Sequence, residues 1–255
     1  GIASSSVTIN NGAILKSDGN NSTISALTIN SGGQFTVEPS KALTVSGNFS
    51  NSGSSTIKSD ATGTGSFIVN GTISGNITSE RYIAGYTSAS DGWHLISSPV
   101  NNFSIASTTL APGANDDLFW YDETQHLWMN YKEGSFTTFT NGYGYLCAYE
   151  NTSTKSFSGT PNHSDLTFTN LSRTSNRGYH ALGNPFQSAL KWNDGNWALT
   201  DVNANAYLLN NGGTYSTISA NGIIPSNQGF FVRVLSGTNS VTIPKAARVH
   251  DNTPW

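Results

Sequence analysis

The chain has 255 residues, 11% of them charged, a net charge of −3 and a single cysteine, which leaves room for one large all-β domain or two small ones. Ser, Thr, Asn and Gly replace the missing charge, so the surface is polar but neutral and offers no basic field to nucleic acid. No apolar run is long enough to cross a bilayer, and the lone Cys147, inside the apolar run YLCAY, excludes a disulfide framework or thiolate metal cluster and reads as a buried, inert thiol. The sequence opens on a glycine within polar residues, so any secretion signal is expected to have been removed or to lie outside this stretch, and the composition suits an extracellular bacterial module.

The first 85 residues repeat one pattern. Val7-Thr-Ile-Asn-Asn-Gly12, Leu27-Thr-Ile-Asn-Ser-Gly32, Leu43-Thr-Val-Ser-Gly47 and Phe67-Ile-Val-Asn-Gly71 each place an apolar-x-apolar segment before Asn, Ser or Gly, at a mean interval of about 20 residues, the range of solenoid repeats. A second short apolar segment often follows, at Ile14-Leu15, Phe35-Thr-Val37 and Thr56-Ile57. Each unit reads as one coil of strand, corner, strand, corner, and stacked coils bury what one coil cannot. The expected architecture is all-β: a right-handed parallel β-helix whose strands pair from coil to coil, with Asn10, Asn30 and Asn70 stacked as an amide ladder. A β-sandwich of coincidentally similar strands is the competing reading.

After Arg81-Tyr82 aromatic residues crowd in and a longer duplication begins. Gly92-Trp-His-Leu-Ile-Ser-Ser-Pro-Val100 matches Gly178-Tyr-His-Ala-Leu-Gly-Asn-Pro-Phe186. Asp117-Leu-Phe-Trp-Tyr-Asp122 parallels Asn205-Ala-Tyr-Leu-Leu-Asn210, Trp128 parallels Tyr215, and Asn141–Tyr149 parallels Ser226–Val234. The expected organisation is therefore β-helix coils over 1–85 and two β-rich repeat units over 86–175 and 176–255, in one continuous module. LFWYDETQHLWMNY and AYLLNNGGTYSTI read as antiparallel hairpins, the second turning on Asn-Asn-Gly-Gly. An open coil exposes a strand edge, and the two copies are suited to cover it.

Signals for chemistry are sparse. No His or Cys spacing fits a zinc or copper centre, and no nucleophile elbow or phosphate loop is present. His94 and His180 occupy equivalent places in the duplication and are expected to bond to a neighbouring loop. Asp18, Glu38, Asp60 and Glu80 are scattered along the coils, unlike the clustered acids of a β-helical lyase or hydrolase. Asn115-Asp116-Asp117 with Asp122 could hold calcium, or could be a polar loop capping a hairpin; no other cofactor is expected.

All six tryptophans lie after residue 90. Trp93 and Trp192 read as packing. Trp120, Tyr121, Asp122, Trp128, Tyr131 and Trp197 are the candidate carbohydrate-binding residues, because the apolar face of a pyranose stacks on an aromatic ring while its hydroxyls bond to amides and carboxylates. A neutral polysaccharide requires no charge.

GWHLISSPV, DLFWYDE, NGYGYLCAYE, GYHALGNPF, NQGFFVRV and VTIPKAARVHD together resemble the C-terminal regions of large secreted Bacteroidetes proteins, just before a type 9 secretion sorting domain. In architecture and length the chain is also similar to the β-helical xylan-binding carbohydrate-binding modules attached to xylanases of gut Bacteroidetes. These resemblances imply a secreted or cell-surface, non-catalytic module for plant cell-wall polysaccharide, xylan first, linked covalently to a catalytic domain and monomeric, with neither nucleic acid nor membrane as partner. A ligand-free spacer or adhesin segment, and a β-helical lyase or hydrolase, are the alternatives.

Overall fold

Short segments with an apolar side chain at every second position suit a β-coil, since alternate residues enter the core while the others face water. In the computed structural model, which describes residues 5–88, 91–210 and 213–251, the chain is 48% strand and 4% helix, and its first part is a β-solenoid of about four turns with parallel sheets. The first coil holds β1 (Ser6–Ile9), β2 (Ile14–Ser17) and β3 (Ser22–Ile24); the second, β4 (Ala26–Ile29), β5 (Gln34–Val37) and β6 (Ala42–Val45). The third holds β7 (Phe49–Asn51), β8 (Ser54–Ile57), a small hairpin of β9 (Ser59–Asp60) and β10 (Gly63–Thr64), and β11 (Ser66–Val69); β12 (Ile73–Ser74) and β13 (Ile77–Ile83) begin the fourth.

A coil thus has three strands, not the two read from the sequence. They stack into three parallel sheets, β1-β4-β7-β12, β2-β5-β8-β13 and β3-β6-β11. One phenylalanine from each sheet fills the centre: Phe35 and Phe49 lie 5.6 and 5.2 Å from Phe67 between ring centroids. The repeat was also out of phase. Val7 pairs with Leu27 and Leu27 with Phe49 in the first sheet, whereas Leu43 pairs with Phe67 in the third. The amide ladder is real but short: Asn30 Nδ2 donates to Asn10 Oδ1 at 2.8 Å, while Asn70 sits at a corner of the third sheet, its amide bonded to the Val45 carbonyl. At the first-sheet corner Gly32 takes φ 77°, a conformation that favours glycine, and a Cβ there would also run into the Asn11 side chain.

The copies follow. The first contains β14 (His94–Ile96), β15 (Phe103–Ser104), β16 (Asp117–Asp122), β17 (Leu127–Asn130), β18 (Thr138–Phe139), β19 (Tyr145–Ala148) and β20 (Ser153–Gly159); β21 (Leu166–Thr169) comes next. The second contains β22 (Tyr179–Gly183), β23 (Ala189–Lys191), β24 (Ala198–Thr200), β25 (Ala206–Leu209), β26 (Tyr215–Ile218), β27 (Ile223–Ile224), β28 (Gly229–Arg233), β29 (Ser240–Ile243) and β30 (Arg248–Val249). Their main sheets have matching strand orders, β14-β19-β16-β17 and β22-β28-β25-β26. The register matches as well: Leu95↔Leu146 and Phe119↔Leu146 in one copy correspond to Ala181↔Phe231 and Tyr207↔Phe231 in the other. Both predicted hairpins form, as β16–β17 and β25–β26; Asn211 and Gly212 of the second turn lie outside the described residues.

The copies join about an approximate twofold. Ile96 bridges Gln228 while Leu182 bridges Tyr143, and Ser97 N donates to Asn227 O while Gly183 N donates to Gly142 O; each bond is the image of the other under the duplication. Gly144 and Gly229 are equivalent and lie against each other at this axis, so that a Cβ on either would come 3.2–3.3 Å from the Cα of the other.

The copies also close the solenoid. β20 pairs antiparallel with the outer edge of β13 over seven residues, from Ile77↔Gly159 to Ile83↔Ser153, which removes the open edge. The second copy fastens the third sheet: Phe67 N donates to Gln187 O at 2.8 Å, and the His250 ring bridges the Thr44 and Ser66 hydroxyls. Buried Arg81 on β13 donates to Gln228 Oε1. β21 lies in the 86–175 segment yet pairs with β29 of the second copy.

Candidate functional site

Alternation along β16 sends Leu118 into the core and turns Phe119 and Tyr121 to the opposite face. Across the strands, Tyr121 faces Trp128 and Phe119 faces Leu146. In the second copy the same face carries Tyr207, Leu209, Tyr215, Phe231 and Arg233. The two faces meet where Leu95, Ala181 and Phe231 are buried together beneath Tyr121, Trp128, Leu146, Tyr179, Tyr207 and Leu209.

Beside that contact lies an open cleft of ≈ 470 Å³, lined by Tyr121, Trp128, Arg177, Tyr179, Tyr207, Tyr215 and Phe231. Phe231 is its hub. Tyr121, Tyr215 and Trp128 stand edge-to-face against it at 5.5, 5.6 and 5.9 Å, and Tyr121 packs on Trp128 at 5.2 Å. Such pairs hold one another's orientation, so the rings form a fixed wall. Tyr215 remains 48% exposed. Burial raises the phenols of Tyr121 and Tyr215 above their ordinary value, which keeps both hydroxyls protonated and able to donate as well as accept.

The loop before β22 brings Arg177 and Tyr179 to the cleft, and Glu123 in the β16–β17 turn holds that loop. Its Oε1 accepts from Thr174 N at 2.7 Å and Gly178 N at 2.9 Å. Burial alone would raise this carboxyl, but the Ser172 hydroxyl and the Gly178 and Thr174 groups outweigh it and hold it below the ordinary carboxylate value. Arg233 braces the loop from below: Nε donates to Arg177 O, Nη2 donates to Asn176 O, and its guanidinium lies 5.4 Å from the Tyr179 ring centre.

The six residues expected to bind sugar therefore separate. Tyr121 and Trp128 line the cleft. Asp122 sits next to it but caps the hairpin, accepting from Thr124 N, Thr124 Oγ1 and Gln125 Nε2. Trp197 corrects the expectation: it is 7% exposed, packs on Trp192 at 4.6 Å and donates Nε1 to Lys191 O at 2.7 Å, so neither ring face is open to a sugar. Trp120 and Tyr131 are half-buried against the main core, Tyr131 packed on Phe136. Tyr179, Tyr207, Tyr215, Phe231 and Arg177 were missed. The signal was present, since Tyr207/Leu209 and Phe231/Arg233 alternate onto the face that Tyr121 occupies in the first copy.

A second cleft of ≈ 330 Å³ opens at the corresponding place of the first copy, lined by Tyr86, Ser88, Asp91, Trp93, Asn115, Asp117 and Ala148. Trp93 lies 6.1 Å from Phe119, as its counterpart Tyr179 lies 6.1 Å from Tyr207. Trp93 is therefore only partly a packing residue, whereas Trp192 is fully buried.

Most of the other groups singled out from the sequence are engaged in local contacts. His94 and His180 each donate Nε2–H to a carbonyl of the loop before their strand, at Ala84 and Ser172. Cys147 is buried and its thiol is pushed up to about 12, chiefly by that burial. Glu38 lies 4.0 Å from Lys16, Asp60 caps Thr62, and Glu80 accepts from Ser59 N. Asp116 accepts from Gly113 N and Glu150 N, engaging the loop proposed for calcium, and no group of three His, Cys, Asp or Glu side chains gathers among the described residues. Among those residues no helix is long and apolar enough to cross a membrane.

No curated protein and no solved structure matches the chain. A family model described as a domain of unknown function (DUF8693) matches residues 2–195, from the first coil into the second copy and including Tyr121, Trp128, Arg177 and Tyr179, and the chain belongs to that family.

Proposed function

We propose that this chain is a non-catalytic carbohydrate-binding module that grips a polysaccharide in the cleft between its two copies. The observation that carries the reading is the wall of five Tyr and Trp side chains set around Phe231, open to solvent and held by edge-to-face packing. Stacked rings take the apolar faces of pyranoses, and fixed phenols meet the hydroxyls. A rigid solenoid capped by the copies gives the rings a support that does not reorganise on binding, which lowers the cost of association. Low surface charge and the resemblance to secreted Bacteroidetes modules favour an extracellular plant glycan, with xylan first. A catalytic domain in the same polypeptide would gain local concentration at the polymer.

Affinity electrophoresis through soluble xylan, β-glucan and mannan tests this. Wild-type protein is expected to be retarded by at least one polymer. Trp128→Ala and Tyr207→Ala are each expected to weaken binding at least about tenfold, as truncation of a central aromatic anchor does, without loss of fold by circular dichroism. Equal retardation of all three proteins would sink the cleft as the site. Release of reducing ends or unsaturated sugars by the pure protein would instead support the enzyme reading.

A further inference from the structure

From the charges around the cleft, and resting on the carbohydrate reading above, we infer that the ligand carries a carboxylate, as a hexuronic-acid residue does, and that Arg177 receives it. Arg177 lines the cleft and is exposed. Its backbone is fixed, because its carbonyl accepts from Arg233 Nε at 3.1 Å and Glu123 clamps the amides on either side, Thr174 and Gly178. Its guanidinium has no hydrogen bond or ion pair among the described residues. An arginine with an ordered backbone and an uncommitted planar fork, set beside sugar-stacking rings, is suited to a carboxylate, which it can bind through two parallel hydrogen bonds.

Three features make the cation more than a surface arginine. The two carboxylates of the hairpin turn that meets this loop are already occupied: Asp122 accepts from Thr124 and Gln125, and Glu123 from two backbone amides. Arg233, packed on the Tyr179 ring and bonded to the carbonyls of Asn176 and Arg177, adds a second positive charge behind the loop that carries Arg177. The other copy supplies the contrast. At the positions of Arg177 and Arg233 it has Asp91 and Ala148, which line the smaller cleft together with Asp117. There Asp91 ties down its own loop by accepting from Thr87 N and Ser88 N. In the second copy that task passes to Glu123 from outside the loop, which leaves position 177 free to carry a charge for a ligand. One copy thus presents a cationic aromatic cleft and the other an anionic one.

The test compares polymers with and without carboxylates on the whole chain. Glucuronoxylan and polygalacturonate are run beside their carboxyl-reduced forms, in which each CO₂⁻ has become CH₂OH, with dextran sulfate and neutral β-glucan as further arms. At least one native uronate polymer is expected to bind wild-type protein about tenfold more tightly than its reduced form. Arg177→Gln, at an exposed side chain, is expected to lose that tenfold on the native polymer and to bind the reduced polymer as wild type does. Reduced and native forms binding equally well would overturn the carboxylate while leaving ring stacking intact, provided Trp128→Ala still weakens binding about tenfold. Retardation by dextran sulfate as strong as by the uronates would reduce the effect to bare charge and also overturn it. Failure of every polymer, the neutral one included, would remove the carbohydrate reading and this inference with it.

Discussion

The two copies differ where they face solvent and agree where they pair. Strand order, register and the histidine-to-carbonyl bond are shared. On the open face, Trp93, Phe119, Leu146 and Ala148 of the first copy stand where the second has Tyr179, Tyr207, Phe231 and Arg233. Backbone pairing fixes the fold through N–H and C=O groups that every residue carries, so the face is free to change while the ladder is kept. The groups around the two clefts differ most, acidic in the first copy and basic in the second, and the aromatic hub is bulkier in the copy that carries the larger cleft.

The sharpest way to break this comparison is at Asn193–Trp197, in the stretch where the second copy is the longer by two residues. Trp197 plugs the second core beside Trp192 and Phe230. Trp197→Ala is expected to cost about 3–5 kcal/mol, the usual penalty for emptying a large aromatic site, read as a lowered urea midpoint with an unchanged slope. Trp128→Ala should do the reverse, with little change in midpoint and a large loss of binding. A Trp197→Ala protein of wild-type stability that no longer binds polysaccharide would return Trp197 to the site.

The next effect lies on the axis between the copies. A Cβ on Gly229 would meet Leu95 Cγ at 2.6 Å and Gly144 Cα at 3.2 Å; one on Gly144 would meet the Leu182 carbonyl at 2.6 Å. Neither glycine has a positive φ, so close approach alone requires them. Gly229→Ala and Gly144→Ala are each expected to cost about 2 kcal/mol through overpacking. Gly237→Ala, with nothing within 4 Å of the added Cβ, is expected to be near neutral. Equal thermal midpoints for all three variants would mean that the copies do not meet as described.

How much of this was legible depends on what each signal encodes. Apolar-x-apolar segments followed by Asn or Gly announced a solenoid because the pattern states which side chains point inward. They could not state which of three sheets a segment joins, since all three corners draw on the same residues, and Leu43 was aligned with Leu27 although it stacks on Phe67. The duplication was legible through whole motifs. Tyr121 and Trp128, which do line the cleft, were legible because they sit on a recognisable hairpin. Trp197 was misplaced because a polar loop in sequence, Asn193-Asp194-Gly195-Asn196, reads as exposed, yet its backbone folds the ring inward onto Lys191 O. Tyr207 and Phe231 were hidden by distance: each is far from Tyr121 in sequence, and only pairing between the copies brings them together.

The smallest expected effect tests how the two loops are held, and it depends on pH. Glu123 has a lower pKa in the fold than its ordinary 4.5, so as pH falls the unfolded chain takes up the proton first. Its contribution to stability is therefore complete above about 4.5 and disappears as pH drops from there through the folded value. Asp60, Asp91 and Asp122 are lowered too, so acid unfolding of the wild type alone does not single out Glu123; the difference from Glu123→Gln does. That variant keeps an acceptor for Thr174 N and Gly178 N but loses the charge, and is expected to cost about 1 kcal/mol at pH 7, with the gap to wild type closing below pH 4.5. Because the same loop carries Arg177, binding of a native uronate polymer at pH 7 should weaken with it, while the first copy's loop, tied by its own Asp91, should not respond. A gap that persisted unchanged into acid would show that the Glu123 charge does not hold the loop, and the asymmetry between the copies would then need another cause.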